Sequence, residues 1–531
     1  MRVLAGRRDA QRVPWALRAM AVLLLAASAA AADDAAESFA IYEFRILGST
    51  AIPRRDLERA VYPLLGPDRT ITDVEQAREA IAAVYREKGF GAVTVDIPEQ
   101  DVVDGVVRLQ VTEGRLGEVR VTGARYFSAG RILTNMPSLR QGEVLDLPAL
   151  QADLATLNRQ SRDRTIAPVL RAGNSPGTVD LELKVKDDLP VSGQLEVNNR
   201  YTADTSPTRV STTLGYDNLF QKFHSLSFQY QVAPEEPDES RVMAATYLAP
   251  VGRSGNALAA YAVRTDSEVS TVGALSVLGA GNIYGLRYVM PIAGSSGWYH
   301  GLTVGADYKD FDEDVVLEDG LDSAPITYVN WSLAYSASRV TDTATSTLGL
   351  TANSGLDGVV NDAAEFAYKR YGATPNYYYL RGSLRHVHSL PWPVRIALRL
   401  DGQASIEPLI ANEQFAIGGA DSVRGYLEAE ELGDTGFSGS LELRTVSLVP
   451  YVGDRFQDLY ALFFYDVGLV SLVDALPGQA GRADLASLGL GLRVAAFDGF
   501  EAVLDWAYPL VPGAYTLDGD SRLHFRVLYA F

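Results

Sequence analysis

Apolar residues follow two different spacings along the chain, and the change falls near Pro190. Before it, alternating runs are mixed with segments in which apolar residues recur every three or four positions, as in amphipathic helices. After it, helical spacing stops, and segments of about ten residues alternate apolar and polar side chains between turn residues. The pattern predicts an α+β region at residues 39–188 followed by an all-β region at residues 190–531.

The first region opens with a β-α-α-β-β pattern. The predicted elements are a strand at 42–47, helices opening at Pro53 and Thr72, and strands at 93–97 and 106–111. Glu75 follows Thr72 by three residues, which is the spacing of a capping box. Gly89 ends the second helix, since glycine adopts the left-handed conformation that closes many helices.

The same element order then repeats. The second copy is predicted as a strand at 116–122, helices at 128–136 and 147–158, and strands at 166–170 and 178–185. Two copies of one small module fit this pattern better than one large domain. We therefore predict modules at residues 39–115 and 116–188.

The end of the first module resembles a known family. A pattern Y-x-x-x-G-[YF], then P-x-Q, then a strand ending V-x-E-G is similar to the polypeptide-transport-associated (POTRA) modules of two-partner secretion transporters of the ShlB/FhaC type. The matching residues are Tyr85, Gly89, Phe90, Pro98, Gln100, Val111, Glu113 and Gly114. We expect most of them to identify the module through packing and turns. An exposed edge strand is then the surface to which an unfolded chain could add a strand.

The second region predicts a closed transmembrane barrel. Sixteen strands are predicted to begin near Val191, Thr208, Lys222, Arg241, Asn256, Gly281, Gly297, Thr327, Thr345, Asn376, Val394, Thr435, Asp458, Leu485, Phe500 and Ser521. The even number suits a bacterial barrel. A soluble β-sandwich is the alternative, but the length and the absence of a sandwich core pattern disfavour it. The terminal Phe531 resembles the signal that barrel-assembly machinery recognises.

Connection lengths predict the orientation of this barrel. With the N-terminus in the periplasm, the periplasmic turns are largely tight and the outer connections are longer. The longest outer connection, residues 406–433, is the sixth.

This sixth loop contains the most specific motif in the chain. The run Ile417–Tyr426 ends in VRGY, and the thirteenth predicted strand contains FFYDVG. Both resemble paired motifs of the two-partner secretion family, in which the loop folds back into the barrel. The matching residues are Val423, Arg424, Gly425 and Tyr426 on the loop, and Phe464, Asp466 and Gly468 on the strand. A guanidinium matches a carboxylate geometrically, so the pair would anchor the loop. An alternative is that the pair only stabilises the barrel.

Composition narrows the function further. Residues 1–32 combine an Arg-rich start, a short apolar run and small residues, which predicts a cleaved signal peptide rather than a membrane anchor. Cleavage would move the net charge from −19 to −23, which disfavours nucleic-acid binding. The chain has no cysteine. His386 and His388 share a strand face, but no clear third ligand accompanies them, so a metal site is not predicted. Neither a cofactor nor an enzymatic activity is predicted.

The resemblance implies an outer-membrane transporter for a secreted protein, in the family typically a long β-helical exoprotein. The other implied partners are membrane lipid and barrel-assembly machinery, and we expect a monomer. Only about six residues separate the predicted cleavage site from the first module. A plug helix is therefore not expected, and the sixth loop would have to limit leakage alone. An assembly factor for other barrels and, more remotely, a diffusion porin are the rival functions.

Overall fold

A computed structural model describes residues 38–531 apart from 162, 204, 253, 267–268, 273–274, 293, 295–296, 313, 318–319 and 454. The predicted signal peptide lies outside the described residues. The chain divides into two compact units. The first contains most of residues 38–185, and the second contains residues 186–531 with two short segments, 124–131 and 159–165.

The first module has a three-stranded sheet covered by helices. Its elements are β1 (Phe39–Ile41), β2 (Glu43–Leu47), α1 (Arg54–Val61), a 3-10 turn (Tyr62–Leu64), β3 (Gly66–Arg69), α2 (Ile71–Glu87), β4 (Val93–Asp96) and β5 (Val106–Glu113). The sheet order is β2-β5-β4, with β2 parallel to β5. The alternating apolar residues of β5 pack against one face of α2, on which Val74, Ala77 and Ile81 are buried.

The predicted capping box was misplaced by two residues. The N-cap of α2 is Thr70, and its backbone N–H donates to Asp73 Oδ2 at 2.8 Å. Thr72 and Glu75 instead lie within the first turns of the helix. Both pairs have the same three-residue spacing and an acidic partner, so spacing alone did not distinguish them.

The second module repeats the arrangement. Its elements are β6 (Arg115–Thr122), α3 (Ala129–Thr134), α4 (Leu147–Gln160), β7 (Arg164–Ala172) and β8 (Thr178–Asp187). The sheet order is β6-β8-β7, with β6 parallel to β8. The central strand is again the last in sequence. The small sheet of β1 and β3 in the first module was not predicted.

The remaining chain is rich in antiparallel strands. They are β9 (Val191–Asn198), β10 (Arg209–Leu219), β11 (His224–Val232), β12 (Arg241–Val251), β13 (Asn256–Thr265), β14 (Val269–Val272), β15 (Leu275–Leu278), β16 (Gly281–Ile292), β17 (Trp298–Phe311), β18 (Asp314–Leu317), β19 (Gly320–Ser323), β20 (Ile326–Val340), β21 (Ala344–Gly355), β22 (Tyr378–Ser389), β23 (Val394–Ser405), β24 (Phe415–Ile417), β25 (Glu431–Gly433), β26 (Thr435–Thr445), β27 (Phe456–Ser471), β28 (Arg482–Ala496), β29 (Phe500–Pro509) and β30 (Arg522–Ala530). Two short helices, α5 (Ala363–Lys369) and α6 (Val449–Val452), lie between them.

Sixteen of these strands form a closed antiparallel barrel, which confirms the predicted fold class. The other six form three two-stranded ribbons, β14-β15, β18-β19 and β24-β25, within the third, fourth and sixth outer loops. Closure occurs between β30 and β9, where Phe531 and Gly193 exchange two backbone hydrogen bonds of 2.9 Å. Among the described residues, no helix is both long and apolar enough to cross a membrane.

Candidate functional site: the sixth outer loop and its barrel wall

The sixth outer loop turns back into the barrel. Its two arms pair as β24 and β25, with Ile417 opposite Glu431, and the chain between them carries the VRGY residues. Val423, Arg424 and Tyr426 are at most 2% exposed. A buried arginine needs acceptors for its donors, because an unpaired buried charge is costly.

Arg424 meets the carboxylate of Asp466 in a bidentate ion pair. Its Nε donates to Asp466 Oδ2 at 2.7 Å, and its Nη2 donates to Oδ1 at 2.9 Å. The backbone N–H of Arg424 donates to the same carboxylate at 3.2 Å. The structure therefore brings together the two motifs at the positions where the sequence analysis placed them.

Further groups complete the surroundings of the guanidinium. Its carbon lies 3.4 Å from the ring centroid of Phe464, a cation–π geometry. Its Nη1 lies 2.9 Å from Glu442 Oε1 and 3.5 Å from Asp505 Oδ2. One cation thus faces three carboxylates on β26, β27 and β29, and two of these carboxylates were not predicted.

The two motif glycines are constrained in different ways. Gly425 has φ +98°, a left-handed conformation that disfavours other residues. Its N–H donates to Nε2 of His524 on β30 at 2.9 Å. A Cβ on Gly468 would meet loop side chains, 2.8 Å from Val423 Cγ2 and 3.1 Å from Ile417 Cδ1.

Tyr426 connects the loop tip to the neighbouring wall and loop. Its hydroxyl lies 2.8 and 2.6 Å from the carbonyl oxygens of Ala486 and Val511, between which its single proton is shared, and accepts from the N–H of Ala486 at 3.2 Å. Its ring packs in an apolar cluster with Ile417, Val423 and residues of β27 and β28.

Three buried carboxylates of the loop were missed by the sequence analysis. Glu413 is bound by Lys309, Tyr328 and Tyr379 from three barrel strands. Glu430 accepts from Thr516 of the eighth outer loop, through the N–H at 2.6 Å and the hydroxyl at 3.0 Å.

The third, Asp434, joins three outer loops. Oδ2 of Asp434 accepts from Arg370 Nη2 of the fifth loop at 2.7 Å and from the N–H of Val473 of the seventh loop at 2.7 Å. Oδ1 of Asp434 accepts from the N–H of Leu409 at the base of the sixth loop at 3.0 Å. No local motif marks these carboxylates, and only their occurrence in a loop that enters the barrel could have suggested burial.

The POTRA signature residues support the fold of the first module. Tyr85 is fully buried, and its hydroxyl donates to Glu113 Oε1 at 2.8 Å. Burial raises the pKa of Tyr85 to about 12. Burial alone would raise the pKa of Glu113, but donors from Ala51, Thr50 and Tyr85 lower it below its usual value.

The other signature residues form turns and packing contacts. Gln100 forms two hydrogen bonds with the backbone of Arg108, of 2.8 and 2.7 Å, which fix the turn after Pro98. Phe90 packs edge-on against Tyr85. Gly89 has φ +88°, and a Cβ on Gly114 would lie 2.3 Å from the carbonyl oxygen of Ala92.

In the part of the chain that the structure describes, no group of three or more His, Cys, Asp or Glu side chains could hold a metal ion. His386 and His388 stack with ring centroids 6.0 Å apart. Nδ1 of His386 lies 2.8 Å from Ser346 Oγ.

Comparison with protein families identifies this architecture. The model of the haemolysin secretion/activation protein ShlB/FhaC/HecB family matches residues 177–494. The chain belongs to this family. The ShlB-type POTRA model also matches residues 39–114, within the first module.

Curated relatives share the outer-membrane setting of this ShlB/FhaC/HecB chain. Outer membrane transporter CdiB of Dickeya dadantii is 25% identical over 191 residues, 36% of this chain and 33% of that protein. CdiB of Escherichia coli strain 536 is 24% identical over 180 residues, 34% of this chain and 30% of that protein. The alignments therefore span about a third of the length of these relatives.

Solved structures share the fold over nearly the whole chain. CdiB from Escherichia coli superposes with TM-score 0.61 at 18% identity, covering 94% of this chain and 92% of that one. BamA from Haemophilus ducreyi without POTRA domains 1–3 superposes with TM-score 0.58 at 16% identity, covering 93% and 100%. Family and fold together place this ShlB/FhaC/HecB barrel in the outer membrane and its POTRA region in the periplasm.

Proposed function

We propose that this protein translocates a secreted protein partner across the outer membrane by two-partner secretion. The observation that carries the proposal is the sixth loop held inside the barrel by Arg424 and Asp466, in a chain of the ShlB/FhaC/HecB family. A diffusion porin would have no reason to carry two periplasmic modules. The proposed domain boundaries are residues 1–32 for the signal peptide, 39–115 and 116–188 for the two POTRA modules, and 190–531 for the transporter barrel.

The POTRA modules capture the unfolded client in this proposal. In each three-stranded sheet the central strand is β5 or β8, so the outer strands each have an edge that no strand of the same sheet covers. At the start of β6 this edge is bonded to Gly142 and Glu143 through Leu116. An extended peptide can add to such an edge through backbone hydrogen bonds, with little demand on sequence. Recognition of this kind suits a long client.

The barrel then threads the captured chain to the cell surface while the sixth loop rearranges as a gate. The loop is anchored by hydrogen bonds and ion pairs, which can break and form again without covalent change. The outer membrane offers no ATP, so folding of the client outside the cell would supply the direction. No cofactor or enzymatic step enters this mechanism.

The remaining partners follow from the same proposal. The client is a large β-helical exoprotein, the outer surface of the barrel contacts lipid, and the protein acts as a monomer. Phe531 is the signal read by barrel-assembly machinery. It is 70% exposed, while its backbone closes the barrel against Gly193. Nucleic acid is not a partner.

The deciding experiment compares surface and culture-supernatant proteomes of the source bacterium with and without this gene. Loss of one large secreted protein, with other barrels at normal levels, would establish a dedicated transporter and identify its client. A joint fall of many outer-membrane proteins would instead show an assembly factor, the alternative that the fold shared with BamA keeps open.

A further inference from the structure

The barrel lumen contains a cavity of about 1080 Å³ whose two sides differ in charge. The sixth loop and the strands from β23 onward contribute charged groups, including Arg399, Arg444, Arg493 and Asp505. Glu196 of β9 and Arg287 of β16 also line the cavity and flank strands β10 to β12. Strands β10, β11 and β12 contribute neutral polar groups. We call their six hydroxyl and amide residues the neutral wall: Ser211, Thr213, Ser227, Gln229, Gln231 and Thr246.

Strand register makes the neutral wall one continuous surface. Thr213 lies opposite Gln229, Ser211 opposite Gln231, and Ser227 opposite Thr246. Side chains alternate across a strand, so these residues share the inner face. Their outward neighbours on β11, Leu226, Phe228 and Tyr230, are 37–47% exposed, as expected for side chains that contact lipid.

The polar groups of the neutral wall are available to a ligand. No hydrogen bond joins any of its six side chains to another residue that the structure describes. The opposite side differs, because two of its arginines are held in ion pairs. Arg493 Nη1 lies 2.7 Å from Asp505 Oδ1, and Arg444 Nη2 lies 2.7 Å from Glu442 Oε2.

We propose that the neutral wall is the track along which an extended polypeptide backbone passes through the barrel. This inference rests on the proposed transport function and adds the path. An extended backbone offers donors and acceptors at every residue, and hydroxyl and amide side chains can both donate and accept. Because the six residues of the neutral wall carry no fixed charge, they do not retain acidic or basic segments of the client. The client backbone can therefore exchange each contact for the next as it moves.

The charged side is the less suitable path. A client moving there would exchange its own charges with the network around Arg424, where leaving a buried charge without its partner is costly. A path on the neutral side leaves the network around Arg424 free to hold or release the loop. In this proposal the neutral wall conducts the client and the charged side controls the loop.

Site-specific photocrosslinking tests this path. A photoreactive amino acid is placed at Gln229, and in a second variant at Thr246, in the full-length protein. The control position is Ser383 on β22, which lies on the inner face beside Arg381 but outside this cavity. The probe is the exoprotein lost on gene deletion, carrying a stably folded C-terminal domain that stops it midway. Folding of each variant is checked by its heat-modifiable migration.

Crosslinks from Gln229 or Thr246 to the stalled exoprotein, at least several-fold above those from Ser383, are the expected result. Equal crosslinking at all three positions, crosslinking from Ser383 alone, or none from folded variants would overturn the neutral-wall path. The proposed function has a separate failure. If gene deletion removes no exoprotein, then transport itself is wrong and no stalled probe exists.

Discussion

Arg424 faces the carboxylates of Asp466, Glu442 and Asp505 inside the barrel. Its ion pair with Asp466 is almost fully buried, at 2% and 0% side-chain exposure. Removing one partner of a buried pair typically costs about 3–5 kcal/mol, because the other charge stays buried without compensation. We expect Arg424→Ala to insert into the membrane, to unfold at a lower temperature in detergent and to secrete poorly.

Secretion per inserted barrel distinguishes gating from stability. The Arg424→Lys variant keeps the charge but loses the planar fork, so it should also secrete less. An Arg424→Ala barrel that inserts well and secretes normally would limit the pair to a structural role. Quantifying the exoprotein against heat-modifiable barrel in the same cells gives the required ratio.

Glu113 makes the POTRA region sensitive to acid. Its folded pKa is lowered, so its contribution to stability is fully present above the unfolded value of about 4.3 and is lost as pH falls through the folded value. We expect protease resistance of residues 39–188, measured in the full-length protein, to fall on acidification below about pH 4. The Glu113→Gln variant should be less resistant to protease than the unsubstituted protein at neutral pH, and its resistance should fall less on acidification. If its resistance falls as much as that of the unsubstituted protein, Glu113 is not the cause of the acid sensitivity. The exposed Glu87 is the control position.

Site residues could be predicted where they belong to a sequence motif. They could not be predicted where only the folded structure makes them buried. The pairing of the VRGY and FFYDVG runs could be predicted because both runs resemble the paired motifs of the two-partner secretion family. Glu413, Glu430 and Asp434 lie among other acidic loop residues, and their partners are distant in sequence. Arg370 and Asp434 are separated by 64 residues.

At the scale of elements, alternation gave accurate strand positions. Each of the sixteen predicted starts lies within three residues of the observed one, because lipid outside and polar groups inside impose a strict two-residue period. Ribbons and helices in the outer loops lack that constraint. The α5 helix and the β24-β25 ribbon were accordingly not predicted.

The β27 strand offers a direct test of its contact with the loop. A Cβ at Gly468 would lie 2.8 Å from Val423 Cγ2, so Gly468→Ala should push the loop outward, at an overpacking cost of about 1–3 kcal/mol. The matched control is Gly382→Ala on β22, where the nearest atom is 3.6 Å away. Protease cleavage within residues 406–434 should rise for the first variant alone. Equal protection of both would show that the loop does not depend on this contact.

At the scale of the whole molecule, the sixth loop is bonded to other outer loops. Sequence reasoning left the sixth loop to limit leakage alone. Asp434 ties it to Arg370, which follows α5 in the fifth loop, and to Val473 in the seventh. Phe366 of α5 packs with Tyr328 and Tyr377 in an apolar cluster at the outer part of the barrel. The outer loops thus form a connected cap, whose opening would involve several loops together.

Loss of Asp434 should therefore open the cap. In Asp434→Ala, Arg370 loses a fully buried partner and three loops lose a shared acceptor, so ion leak through the full-length protein in planar bilayers should rise. The control is Asp266→Ala, which removes a partly exposed pair with Arg241 that is worth only about 0.2–1 kcal/mol. Similar currents from both variants would mean that the sixth loop limits leakage without the others. A rise for Asp434→Ala alone, with Arg424 and Asp466 intact, would separate closure of the cap from anchoring of the gate.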